Sequence, residues 1–346
     1  MKYADELIDR LSWRRAEKLG KLSEDAFDEL RLAVTRDPDS FLEHKGDVAF
    51  KHLADALAAN DLAQAEEEFL DDEGYESSRN RRLDKLRAAC AEAISMDGDC
   101  LDARTIAAML GAKDPDASLT ALLKLANEIE LDTEPKEKEG DASPAAPGAD
   151  DPTPESDEVP LATASAWDDV FARPRLRLLS SIARARLETA RYKNACKTCE
   201  RLIELDPTDQ LGARYTWAIA LARLEDEKGF DALDARFGRQ GNAWNHLART
   251  LLMFKLDRMP AARRALRGYT SLCRGGAYAL LRPTFVEGYL PDRPTFEPGS
   301  FEEAALAVHE CDSVVMDTPD FLAWATAQDG FAAQAEKFAR DNDLDW

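Results

Sequence analysis

The sequence is short of positive charge. Its 346 residues carry 45 Lys and Arg against 67 Asp and Glu, a formal net charge of −22. Phosphate backbones and anionic bilayers repel such a polyanion, which argues against general nucleic-acid binding and peripheral membrane docking. Long apolar runs are also missing. Stretches such as Ala218-Ile219-Ala220-Leu221-Ala222 fall far short of the ~20 residues that span a bilayer. The opening residues, MKYADELIDRLSWRRAEKLG, contain no apolar h-region and no small-residue cleavage site. No secretory signal is read there, and the expected location is the cytoplasm. The six cysteines (Cys90, Cys100, Cys196, Cys199, Cys273, Cys311) are scattered, as expected for reduced, mostly buried thiols in that compartment. Alternation with period two is nearly absent, so little sheet is expected. No histidine (His44, His52 and His246 among them) lies near a nucleophile motif, and Gly238, Gly241, Gly275 and Gly276 read as turns rather than a phosphate loop.

What is present is helical grammar: Ala, Leu, Arg and Glu with apolar spacings of three and four. The length suggests about two domains, and one boundary is plain. Residues 132–160, DTEPKEKEGDASPAAPGADDPTPESDEVP, hold six prolines, ten acids and two lysines. Such a composition cannot bury enough surface to offset ordering, so an acidic disordered linker is expected. Residues 1–131 carry net −12, the linker −8 and residues 161–346 only −2. The expected architecture is all-α. It comprises an N-terminal helical domain (1–131), the linker (132–160), a helical-repeat domain (161–282), and an irregular Pro/Gly segment with capping helices (283–346).

In the N-terminal domain Leu22, Ala26, Leu30 and Ala33 share a helical face that Asp37-Pro38-Asp39-Ser40 ends. Helices are then predicted over 41–57, 62–70, 81–96, 101–111 and 117–131, with an acidic turn over 71–78. In the C-terminal half the predicted helices pair as 174–189 with 192–205, 210–225 with 228–237, and 242–256 with 260–272. Residues 283–299 read as irregular, followed by helices near 301–309, 318–327 and 331–340.

A helix, a tight turn, a second helix and then Asp-Pro form the grammar that resembles the tetratricopeptide repeat, a unit of ~34 residues. Residues 176–209 fit best. With Pro207 at the repeat's proline, Ile182 and Ala183 take the large–small pair, Ala195 the small crossing position, and Cys199 a position usually aromatic. Leu202 replaces the usual alanine, and Arg186 stands where tyrosine is usual. Residues 241–272 match through Trp244, Leu247 and Ala248, and a first unit ending at Pro38 matches through Trp13, Ala26 and Ala33. The unit ending at Gly98 matches only through Ala93 and its turn. The tail from Leu290-Pro291 to Glu302-Glu303-Ala304 looks like that following such repeats in some bacterial proteins.

The resemblance implies two lobes of stacked antiparallel hairpins whose inner wall binds peptides or partner helices. Its groove-facing positions carry over to Arg177, Ser180, Arg184, Arg214, Asn242, Asn245 and Arg249. Arginines converging on one concavity favour an acidic segment, because guanidinium pairs carboxylate in bidentate fashion. Pairing with nearby acids such as Glu188 and Glu225 is the competing expectation for these arginines. The acidic linker, with a root-mean-square span of roughly 30 Å, is long enough to mask the neighbouring groove.

The favoured reading is a non-catalytic, cofactor-free scaffold that binds another protein or peptide. A second is a peptide-responsive regulator or chaperone using the same repeats. A third, a metal-dependent enzyme, rests only on Cys196, Cys199, His309 and Cys311, whose C-x-x-C lies mid-helix rather than on a knuckle turn. The acid run from Glu66 to Glu73 lacks calcium-loop spacing and reads as a solvated patch relieved by Arg79, Arg81 and Arg82.

Overall fold

The computed structural model describes residues 3–67, 70–135, 165–284, 286–288 and 290–346. Their regular structure is all helical: sixteen α-helices and one 3-10 turn, Pro38–Phe41. The N-terminal half contains α1 (Tyr3–Leu19), α2 (Glu24–Arg36), α3 (Lys45–Glu67), α4 (Asp72–Met96), α5 (Leu101–Leu110) and α6 (Pro115–Glu128). The next six are α7 (Arg173–Glu188), α8 (Tyr192–Leu205), α9 (Ala213–Leu224), α10 (Glu227–Arg236), α11 (Ala243–Lys255) and α12 (Met259–Leu272). Four shorter or terminal helices complete the chain: α13 (Gly276–Leu281), α14 (Phe301–Met316), α15 (Phe321–Thr326) and α16 (Phe331–Asp341). No helix among the described residues is long and apolar enough to cross a membrane.

Sequence chemistry explains where these helices begin. Ser23, Asp71, Asp114, Asp226, Asn242 and Ser300 each accept a hydrogen bond from the backbone N–H three residues on, at 2.7–3.3 Å. Each satisfies a donor that the first helical turn leaves unpaired. Pro115 and Pro174 sit in first turns, where a missing N–H costs nothing.

Three elements differ from expectation. Helix α3 runs unbroken through Asn60-Asp61, which contains neither Gly nor Pro to stop it. The 71–78 turn is instead the first two turns of α4, where carboxylates suit the positive end of the helix dipole. Gly275, at φ +73°, precedes α13, a helix the sequence reading missed.

The odd-numbered helices α1, α3, α5, α7 and α9 each pack on the next odd-numbered one, and α14 follows α11. From α4 to α12, each even-numbered helix packs between its two sequence neighbours. The packing does not stop at the acidic segment. Leu119, Leu122, Leu125 and Ala126 of α6 share one buried cluster with Leu178, Ile182 and Ala185 of α7. The two halves expected as separate lobes thus share a core. The reason lies in α7, which is buried nearly all round and has an apolar stripe for each half.

Candidate partner-binding surfaces

Two surfaces bear on the expected function: the face carrying the arginines singled out in the sequence, and a cleft at the α1–α2 end.

The first surface is largely closed by the chain itself. Arg177 is only 2% exposed and makes bidentate contacts with both Glu6 (2.7 and 2.9 Å) and Asp102 (2.8 Å each). These two carboxylates raise its pKa well above the ordinary arginine value against the opposing effect of burial. The pairing holds the Glu6 carboxyl below the usual range in turn, despite its own burial. Arg10 and Arg173 complete this charged knot between α1, α5 and α7. Arg184 is buried too, donating to Ser180 Oγ (3.1 Å) and to the Pro291 carbonyl. Neither residue faces an open groove.

Arg214 lies 3.6 Å from Asp209 and stacks on Tyr215 and Phe237. Asn242 caps α11, its side chain accepting from the Asn245 N–H, while Asn245 and Arg249 converge on Asp234 at 3.0 and 3.2 Å. Arg249 also pairs with Asp231 at 2.7 Å. The sequence-predicted set therefore divides into three buried residues on α7 (Arg177, Ser180 and Arg184), the cap Asn242, and partly exposed Arg214, Asn245 and Arg249, which already meet neighbouring acids. Of the acids expected as partners, exposed Glu188 feels the charge of Arg184, while Glu225 pairs with Lys255 at 3.3 Å.

An irregular strap follows α13 and crosses several helices of both halves. Glu287 pairs with Arg79 (2.8 Å) and Arg82 (2.5 Å) of α4, and Leu290 packs against the core of α3, α4 and α5. Further along, Pro291 meets Arg184. Arg293 then donates to the Leu211 and Gly212 carbonyls, Thr216 Oγ1 and Glu310. Phe296 ends the run against Trp244, with ring centroids 5.2 Å apart. The strap thus ties α4 to α7, α9, α11 and α14. Of the acid run, Glu67 is buried on Arg82 at 3.0 Å rather than solvated.

The described start of the linker docks elsewhere. Glu134 pairs with Lys197 (3.0 Å), accepts from Asn194 (3.1 Å) and lies 3.5 Å from Arg186, on α7 and α8. The rest of the expected masking contact falls within 136–164, outside the described residues. The cysteine–histidine set is also scattered. Cys196 and Cys199 face the α8 core, and burial pushes the Cys196 thiol up to about 12. Cys311 is buried on α14. Among the described residues no three His, Cys, Asp or Glu side chains lie close enough to share a metal ion.

The second surface is open. A cleft of about 920 Å³ lies between α1, α2 and residues 168–171, which lead into α7. Its floor is Ala16 and Val170, both buried, with half-buried Leu22 beside them. Its walls are aromatic: Trp13 is 51% exposed and Phe171 40% exposed, and Trp13 lies 4.7 Å from Phe27 between ring centroids. Arg14 sits behind Phe171, its guanidinium 4.7 Å from the ring centroid. Glu17, Glu24, Asp168 and Asp169 also line the cleft, against the single base Lys21. Local packing explains why it stays open. Helix α2 packs mainly on α1 and the 3-10 turn, and of its side chains Val34 alone is buried.

No protein-family model matches this chain, and neither does any curated protein or solved structure.

Proposed function

We propose that this chain is a non-catalytic helical-repeat protein, tetratricopeptide-like in its hairpin grammar, that binds another polypeptide through the α1–α2 cleft. The repeat reading is supported by burial at the matched positions of residues 176–209 and 241–272, though not at Trp13, Ala26 and Ala33 of the first unit. Ile182, Ala183, Ala195, Cys199, Trp244, Leu247 and Ala248 are all within the core. Hairpins stacked through one row of helices leave their apolar stripes covered by neighbours, except at the end of the row.

The exposed aromatic cleft is the observation that carries the binding reading. Trp13 matches a packing position of the first repeat, yet it faces the cleft beside Phe27 and Phe171. Contiguous exposed aromatics of this kind mark interaction sites, and aromatic anchors dominate binding energy at such sites. The expected site therefore moves from the arginine face to the end of the array.

Panning a random peptide library against the full chain and against Trp13→Ala tests the reading. Enrichment that disappears in Trp13→Ala is expected. Equal enrichment on both proteins, or none on either, overturns it.

A further inference from the structure

We infer that the α1–α2 cleft recognises a Lys/Arg-rich segment carrying one aromatic or long aliphatic anchor, contributed by a partner protein. The inference rests on the polypeptide-binding reading above and adds the chemistry of the occupant.

Charge complementarity decides the class. Four carboxylates and one ammonium line the cleft. Asp169 uses one oxygen to accept from the Phe171 N–H at 2.9 Å. Glu17, Glu24 and Asp168 form no ion pair with any described residue, unlike the arginines singled out in the sequence. An incoming cation meets uncommitted carboxylates beside an apolar floor. A basic side chain also gains from the faces of Trp13 and Phe171, since a cation over an aromatic ring is favoured. The volume of about 920 Å³ matches the upper range of compact ligand pockets, roughly 300–1,000 Å³, enough for a few side chains but not for a packed helix pair.

The same charge argues against other occupants. The chain's own segment 136–164 has eight acids against two lysines, and it would bring like charge to this rim. A second copy, at net −22, meets the same objection. Nucleic acid and anionic lipid are repelled for the reason given at the outset. A basic segment is drawn in by the long-range field before any contact forms, so salt acts on its association rate.

The test uses the full chain and three fluorescein-labelled peptides, read by anisotropy. The first is KRLFKRLK. In the second, Glu replaces every Lys and Arg. In the third, Ala replaces the Leu and Phe residues. Binding is expected for the first alone, weakening steeply between 50 and 300 mM NaCl. Trp13→Ala and Phe171→Ala each weaken it at least about tenfold while the thermal midpoint stays unchanged, since both side chains are exposed. The double variant Glu17→Lys, Glu24→Lys reverses the preference towards the acidic peptide. Trp13-dependent binding of the acidic peptide to the wild-type chain overturns the basic chemistry and leaves polypeptide binding standing. Equal binding of the first and third peptides overturns the apolar anchor. If KRLFKRLK does not bind while library panning still enriches Trp13-dependent sequences, the inference fails alone. If neither experiment gives Trp13-dependent binding, both readings fail.

Discussion

Arginine placement was the hardest thing to read at the level of single residues. Helix α7 contains Arg173, Arg177, Arg184 and Arg186, and all four are buried. Arg173, Arg177 and Arg184 share one helical face and Arg186 lies across from it, and nothing local distinguishes a solvated guanidinium from one neutralised inside. The partners of Arg177, Glu6 and Asp102, lie 171 and 75 positions away. Such pairing becomes visible only once α1 and α5 are brought against α7. Burying this group is justified by two bidentate carboxylates, and removing it leaves both uncompensated. Arg177→Ala is therefore expected to cost about 3–5 kcal/mol in denaturant unfolding. A loss below about 1 kcal/mol would mean that the knot contributes little.

Asp209 makes a second residue-scale prediction, about pH. Its carboxylate accepts from the Ala213 and Arg214 N–H groups, yet burial outweighs these and the nearby Arg214 and Arg293, raising its pKa to about 6 from 3.8. A carboxyl raised on folding holds its proton more tightly in the folded state. The wild-type chain thus gains stability, relative to a non-titrating variant, as pH falls from 6 towards 4. Melting of wild type and Asp209→Asn at pH 7.5 and 4.5 checks this. The difference should shift in favour of wild type at the lower pH by about 2–3 kcal/mol, from 1.36 kcal/mol per unit. A difference independent of pH would contradict it.

Among the elements, those with chemical punctuation were legible. Helix α8 matches its predicted bounds because Ala190-Arg191 and Asp206-Pro207 bracket it, and Asp206 organises its own turn by accepting from Thr208 and Gln210. Helix α3 was split in the reading because Ala-Ala-Asn-Asp resembles a turn by composition, while packing on α4 and α1 keeps it helical. The strap was recognised as irregular, but its destination was not, since its anchors on Arg82, Arg184 and Thr216 are all remote in sequence. The α1–α2 cleft was missed because Trp13 fits the repeat pattern as a core residue. Only Phe171, far along the chain, completes the wall.

The start of α13 tests the turn expected at Gly275-Gly276, which holds at Gly275 while Gly276 opens the helix. Gly275 has φ +73°, and a Cβ there would lie 2.6 Å from the Phe338 ring. Gly275→Ala combines left-handed strain with that clash and should lower stability by about 1–3 kcal/mol. An unchanged thermal midpoint would show that α16 yields freely.

For the whole molecule, apolar spacing and the scarcity of period-two alternation gave the all-helical class. They concealed that the halves share a core, because the shared apolar cluster and the charged knot join residues on opposite sides of 136–164. Cutting the folded protein at a protease site inserted between residues 140 and 155 should leave the fragments together. They are expected to co-elute on size exclusion and melt in one transition. Separation into two independently melting fragments would refute a common core.

The charged knot and the strap also bear on biosynthesis. During translation Glu6 and Asp102 leave the exit tunnel long before Arg177, and Arg82 waits still longer for Glu287. Until those counter-ions emerge, the leading helices would have to desolvate unmatched charge, a penalty that keeps them loose. The nascent front half is thereby held open for late consolidation, and a chaperone has its longest window on the part that carries α1 and α2.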